Sequence, residues 1–120
     1  MDSATNRERT TNTLNVLGVN FQAVVKATKL NTALLRRGEV RFPFYEFNEC
    51  FYGLYHLTVA KTEVRTQIPK ENGTSLDKQI SDFFAHIRAT GAVSRETAAE
   101  GLRLFEAWQQ VLAQSQIFEV

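Results

Sequence analysis

Cys50, His56 and His86 are the side chains of this sequence that could carry nucleophilic chemistry. A nucleophilic thiol needs a histidine within hydrogen-bond reach to take its proton. Cys50 and His56 are six positions apart, which places them on opposite sides of one helix, so only a tertiary contact with His86 could activate the thiol. We favour the simpler interpretation, in which Cys50 is a buried structural cysteine.

The spacing of acidic residues and histidines does not predict a metal site. Carboxylate-bridged metal bundles use a glutamate followed three residues later by a histidine, and neither histidine has a glutamate at that position. Glu49, His56 and Glu63 share a helical face, but successive members are about 10 Å apart along the helix axis, which is too far for one metal ion. Phosphate-binding and catalytic motifs are also absent from the sequence. We therefore expect a protein that is not an enzyme and binds no metal or cofactor.

A basic face on the first predicted helix could bind a nucleic-acid backbone. No acidic residue occurs from position 10 to position 37. The cations opposite the apolar side of this helix, with one more just past its end, are Lys26, Lys29, Arg36, Arg37 and Arg41. Such a face neutralises phosphates with little sequence preference, and its affinity falls steeply with salt. The alternative is that these cations form the solvated face that any soluble helix needs.

Aromatic residues are concentrated in one segment of the sequence. Seven of the thirteen lie between Phe42 and Tyr55. In a helix they form two stripes. The first stripe contains Phe44, Phe47, Phe51, Leu54, Tyr55 and Thr58, and the second contains Tyr45, Tyr52 and Val59. One stripe is enough to meet the other helices of a small bundle, so we expect the second to face the protein's own loops or another molecule.

Tyrosine suits a binding surface because its ring buries while its hydroxyl finds a polar partner. The C-terminal end, from Ile117 to Val120, is also too apolar for an idle tail. The predicted partner-binding residues are Phe42, Tyr45, Tyr52, Tyr55 and Phe118. The alternatives for the aromatic segment are a central bundle helix that has no further role, and a ligand groove or base-stacking platform.

Apolar periodicity predicts an all-α fold, a single-domain four-helix bundle. The predicted helices span residues 11–37, 43–67, 74–90 and 94–114. Gly38, Pro69 and Gly91 mark their ends, and Thr74 and Ser94 are predicted caps. Residues 1–9 lack apolar periodicity and are expected to form a flexible arm, so the helical bundle domain spans residues 10–120.

A strand is the alternative for residues 39–47, because Val40, Phe42 and Tyr45 are strand-prone. Such a strand would pair with residues 51–60 or 62–68. A helix explains the segment more simply, because only Gly53 interrupts residues 44–67 with a turn signal.

Composition limits the class of protein. With 120 residues, of which 43% are hydrophobic and 22% charged, the chain fits one soluble domain. A single cysteine excludes an internal disulfide, and a net charge of +1 gives no overall preference for polyanions. The most apolar stretch, residues 42–60, contains two glutamates and a histidine, so it is not a membrane span. The polar start has no secretory pattern, and we therefore expect a cytoplasmic protein.

The function predicted from the sequence is that of a non-enzymatic protein-interaction subunit or adaptor. Its partner would be a second copy, in a homodimer, or another protein. The alternative is a small helical subunit that binds RNA or DNA backbone through the basic face of the first helix.

Overall fold

A computed structural model of the protein describes residues 21–36, 41–91 and 93–115. Within these ranges the chain forms five α-helices and one antiparallel hairpin of two short strands. In chain order the elements are α1 (Phe21–Arg36), α2 (Arg41–Thr58), α3 (Thr62–Arg65), β1 (Lys70–Glu71), β2 (Thr74–Ser75), α4 (Leu76–Thr90) and α5 (Arg95–Gln114). The predicted all-α fold is confirmed. The predicted flexible arm and Phe118 lie outside the described residues.

Helix α2 ends earlier than the sequence predicts. Instead of one helix over 43–67, the chain turns after Thr58, and the single turn of α3 follows. The Thr58 hydroxyl is buried, where it accepts a hydrogen bond from Trp108 Nε1 at 3.0 Å and donates one to the Leu54 carbonyl at 2.7 Å. The Lys61 N–H donates to the Thr58 carbonyl, which closes the turn. The strand alternative is wrong, because residues 41–47 and 51–58 are helical.

A tight hairpin separates α3 from α4. Asn72 and Gly73 form its turn with backbone φ angles of 55° and 79°. Two central residues with positive φ are typical of the Asn-Gly turns that join short antiparallel strands. Strand pairing then extends to Ser75, so Ser75 rather than the predicted Thr74 occupies the N-cap position of α4. Helix α4 ends as predicted at Gly91, whose φ of 61° is left-handed.

Helix α5 follows the sequence prediction at both ends. The Ser94 hydroxyl caps it by accepting a hydrogen bond from the Thr97 N–H at 3.1 Å. The apolar side of α5 contacts α1, α2 and α4. Its buried residues are Ala98, Gly101, Leu102, Leu104, Phe105, Trp108, Val111 and Leu112.

The core is largely aromatic and centres on α2. Phe47 and Phe51 each meet Phe105 of α5 edge-to-face, with ring centroids 5.1 and 5.2 Å apart. Phe51 also meets Phe84 of α4 at 5.0 Å. This geometry is the one that aromatic pairs favour, because the positive ring edge meets the negative ring face.

Gly101 allows α5 to approach these rings. A Cβ at residue 101 would lie 3.0 Å from Phe83 Cζ and 3.3 Å from ring atoms of Phe44 and Phe47. The glycine in the middle of α5 therefore has a packing reason. None of the described helices combines the length and the apolar character needed to cross a membrane.

We expect Gly101→Ala to lower the free energy of unfolding by about 1–3 kcal/mol, because the added methyl group crowds the buried rings of Phe44, Phe47 and Phe83. Gly53→Ala in α2 is the matched control. A Cβ there would meet no atom within 4 Å, so alanine should raise the free energy of unfolding by about 0.5–1 kcal/mol. Urea denaturation at a chain concentration low enough to keep the protein monomeric measures both effects. Changes of the same sign would contradict the described packing.

Phe42 and Phe44 are two residues apart on α2 but differ fully in burial, at 75% and 0% exposed. We expect Phe44→Ala to lower the free energy of unfolding by about 3–5 kcal/mol. Phe42→Ala should change it by about 0.5 kcal/mol or less. Urea denaturation followed by the fluorescence of the single, buried Trp108 compares the two. A large loss of stability in Phe42→Ala would show that its ring packs on the chain.

Candidate protein-interaction surface

Helix α2 turns a second set of side chains outward, beside the buried aromatic stripe. Phe42 is 75% exposed, Tyr45 38% and Tyr52 40%. Glu49 and His56 are exposed on the same side. At about 100° per residue, the outward set falls within an arc of about 100°. We call this set the α2 surface. Its members are Phe42, Tyr45, Glu49, Tyr52, Gly53 and His56.

Two tyrosines of the α2 surface rest on α4. The Tyr45 hydroxyl donates a hydrogen bond to the Gly91 carbonyl at 2.5 Å, at the end of α4. The Tyr52 ring meets Phe84, in the middle of α4, edge-to-face with centroids 5.2 Å apart. These contacts hold the rings before any partner arrives, which reduces the side-chain entropy lost on binding.

His56 has a defined place at the C-terminal end of the α2 surface. Its ring lies 4.2 Å from the Tyr52 ring, centroid to centroid, one helical turn away. A second contact joins it to the Tyr55 ring at 5.5 Å. His56 therefore extends the aromatic surface and adds a group that can donate or accept a hydrogen bond.

Tyr55 was predicted as a partner-binding residue, but the structure places it in the core. It is 6% exposed, and its ring contacts Trp108 with centroids 5.2 Å apart. Its hydroxyl donates to the Asp77 carbonyl at 3.2 Å. Burial raises the pKa of Tyr55, so the phenol stays neutral around pH 7. The helical period assigns Tyr55 to the buried stripe, whereas its residue type alone suggests a surface role.

The basic face of α1 is partly neutralised by α2. Lys26 forms an ion pair with Glu46. This glutamate belongs to the neighbouring helix α2. Lys29 is exposed, and Arg41 is the exposed first residue of α2. The side chains of Arg36 and Arg37 lie outside the described residues. Nucleic-acid binding by this face stays a prediction, with Lys26 already engaged.

A polar cleft of about 440 Å³ beside the hairpin was not predicted. Its lining residues come from the hairpin and from two helices, namely Glu71, Asn72, Thr74, Gln79 and Arg103. Arg103 donates to Glu100 at 2.5 Å and to Gln79 at 3.0 Å. The hydrogen bond with Glu100 raises the pKa of Arg103. Because this guanidinium is already paired with a carboxylate of the protein, the cleft has little attraction for an anion.

The side chains that could carry nucleophilic chemistry form no catalytic pair among the described residues, and Cys50, expected to be buried, is half-buried. His56 lies against tyrosine rings, and no hydrogen bond joins Cys50 to His86 in the described part of the chain. The described residues also contain no group of three or more His, Cys, Asp or Glu side chains that could hold a metal ion. Among the described residues, the exposed large aromatic side chains are those of Phe42, Tyr45 and Tyr52, and all three belong to the α2 surface.

Comparison with known proteins adds no relative. No protein-family model matches the chain, no curated protein matches it, and no solved structure matches it. The chemistry of the chain's own surface is therefore the basis of the function proposed next.

Proposed function

We propose that this protein is a non-enzymatic interaction subunit that forms a homodimer through the α2 surface. In this proposal α1, α2, α4 and α5 form the four-helix bundle of a single domain. The contacts of α5 with each of the other three helices support that arrangement.

The exposure of Phe42, Tyr45 and Tyr52 along one helix carries the proposal. Burying a phenylalanine side chain contributes about 1.5–3 kcal/mol relative to leaving it in water. Phe42 is 75% exposed, so most of that contribution is still available to a partner. Aromatic residues are also enriched where protein interfaces are buried most deeply.

Tyr45 and Tyr52 suit a surface that is exposed to water in the monomer and buried in the proposed dimer. Tyr45 keeps its hydroxyl hydrogen bond to Gly91, so covering its ring leaves no unpaired polar group. Tyr52 is supported from below by Phe84, so a partner meets a ring that is already in place. A second copy is the proposed partner because the same surface carries an acidic residue, Glu49, and a histidine, His56, which can complement each other between copies.

We expect the wild-type chain to elute with twice its chain mass of 13.6 kDa when size-exclusion chromatography is coupled to light scattering. Tyr52→Glu should give a folded monomer, because it places a charge in the centre of the proposed interface. Retained helicity by circular dichroism shows that the variant is folded.

Leu57→Glu is the matched control for this experiment. Leu57 is 53% exposed on α2 but lies outside the α2 surface, so this variant should remain dimeric. A wild-type chain that stays monomeric at its highest soluble concentration overturns the proposal. If Tyr52→Glu and Leu57→Glu lost the dimer equally, the interface would not be the α2 surface.

A further inference from the structure

We propose that the two copies pair their α2 helices antiparallel, with a two-fold axis between Tyr52 and Gly53. This inference rests on the proposed function and specifies how the second copy lies on the α2 surface. It follows from the order of charge, ring and glycine along the helix.

The midpoint between Glu49 and His56 falls between Tyr52 and Gly53. In an antiparallel pair, residues at equal distances on either side of the axis face each other. Glu49 of each copy therefore faces His56 of the other, and the two pairs lie about 5 Å on either side of the axis at 1.5 Å per residue. One self-complementary surface thus makes two identical polar contacts, as a two-fold interface requires.

A parallel pair would place like side chains together. Each residue then faces its own copy, so Glu49 would meet Glu49 and His56 would meet His56. Like charges at an interface are unfavourable, and proteins use this to exclude wrong arrangements. The parallel pair brings two glutamates together, so the order of Glu49 and His56 along the α2 surface favours the antiparallel pair.

Gly53 is the second observation that places the axis. Glycine in a helix interior is about 1 kcal/mol less favourable than alanine. Gly101 has a reason in the core, but a Cβ at Gly53 would meet no described atom of its own chain within 4 Å. Gly53 is half-buried, and the open space at its Cβ position allows another backbone to approach closely. In the antiparallel pair the two Gly53 residues lie side by side, and the two Tyr52 rings meet on the other side of the crossing.

The residues that make these contacts are held in place in each copy. The Tyr52 ring is fixed between His56, at 4.2 Å, and Phe84, at 5.2 Å, measured between ring centroids. The ion pair between Lys26 and Glu46 occupies the other acidic residue on the exposed side of α2. Glu49 is exposed, and none of the ion pairs among the described residues includes it.

Charge reversal tests the antiparallel arrangement in the full-length protein at low salt. We expect Glu49→Lys to raise the dimer dissociation constant about tenfold, because both contacts lose the carboxylate that can accept a hydrogen bond from His56. His56→Glu should do the same, since a glutamate then faces Glu49. The double variant Glu49→Lys with His56→Glu should return to within about threefold of the wild type, because each lysine meets a glutamate. Sedimentation equilibrium measures the three constants.

The double variant separates the two orientations. In a parallel dimer it would place lysine on lysine and glutamate on glutamate, so its dissociation constant would stay well above that of the wild type. His86→Glu, on the exposed side of α4, is the matched control and should leave the dissociation constant unchanged. Wild-type dimers that break with Tyr52→Glu but ignore both single charge reversals would leave the proposed function standing and overturn the antiparallel pair. A monomeric wild type overturns both.

Gly53→Leu provides a test that does not depend on charge. Leucine is a good helix former, and the described chain leaves space for its Cβ, so the variant should fold at least as stably as the wild type. The same side chain separates two helices that cross at this residue, so we expect the dimer dissociation constant to rise at least about tenfold. A folded Gly53→Leu variant that dimerises as the wild type does would overturn the proposed crossing point.

Discussion

Helix α5 packs so closely on α2 and α4 that three rings crowd the place of a side chain at residue 101. The rings of Phe44, Phe47 and Phe83 occupy that space, and they hold α2 at one rotation about its own axis. Near the other end of the helix the buried Trp108 indole donates its hydrogen bond to Thr58. A buried indole N–H needs an acceptor, so this bond anchors α2 to α5 a second time. What α2 exposes follows from these two attachments.

A helix held in this way cannot turn its exposed rings inward. Phe42 lies two residues before Phe44, and Tyr52 one residue after Phe51, so the rotation that buries Phe44 and Phe51 leaves Phe42 and Tyr52 outside. The exposed rings are therefore a consequence of good core packing. One aromatic segment supplies both a core and an outer surface, and its length and composition exceed what the core alone uses.

The sequence predicts most of the helices because their signals are local. Ser94 and Gly91 are a cap and a stop that act within a few residues, and both are found where the sequence places them. The break after Thr58 could not be predicted this way. No glycine or proline marks it, and the partner of Thr58 is Trp108, fifty positions further along the chain. The helix ends at a residue that makes a tertiary hydrogen bond, which the periodicity of apolar residues does not predict.

The surface was only partly predictable for the same reason. Helical periodicity separates Tyr52 from Tyr55, and the structure confirms that separation, with Tyr52 outside and Tyr55 inside. The ion pair between Lys26 and Glu46 depends on α1 lying beside α2, which no local pattern reveals. The ion pair changes the interpretation of both surfaces, because it neutralises one lysine of the basic face of α1 and one glutamate on the exposed side of α2.

The sequence shows only that Gly53 and Gly101 are unfavourable in a helix, whereas the structure shows that their surroundings differ. Both weaken the intrinsic preference of their helix by a similar amount. At Gly101 three rings occupy the place of the missing side chain, so the core offsets the loss. At Gly53 no described atom lies within 4 Å of the Cβ position, so no contact within the described chain offsets the loss. Local sequence conflicts with stability are expected to cluster where function imposes its own constraint. Gly53 lies between Glu49 and His56 in the middle of the α2 surface, where a second helix would supply the missing contact.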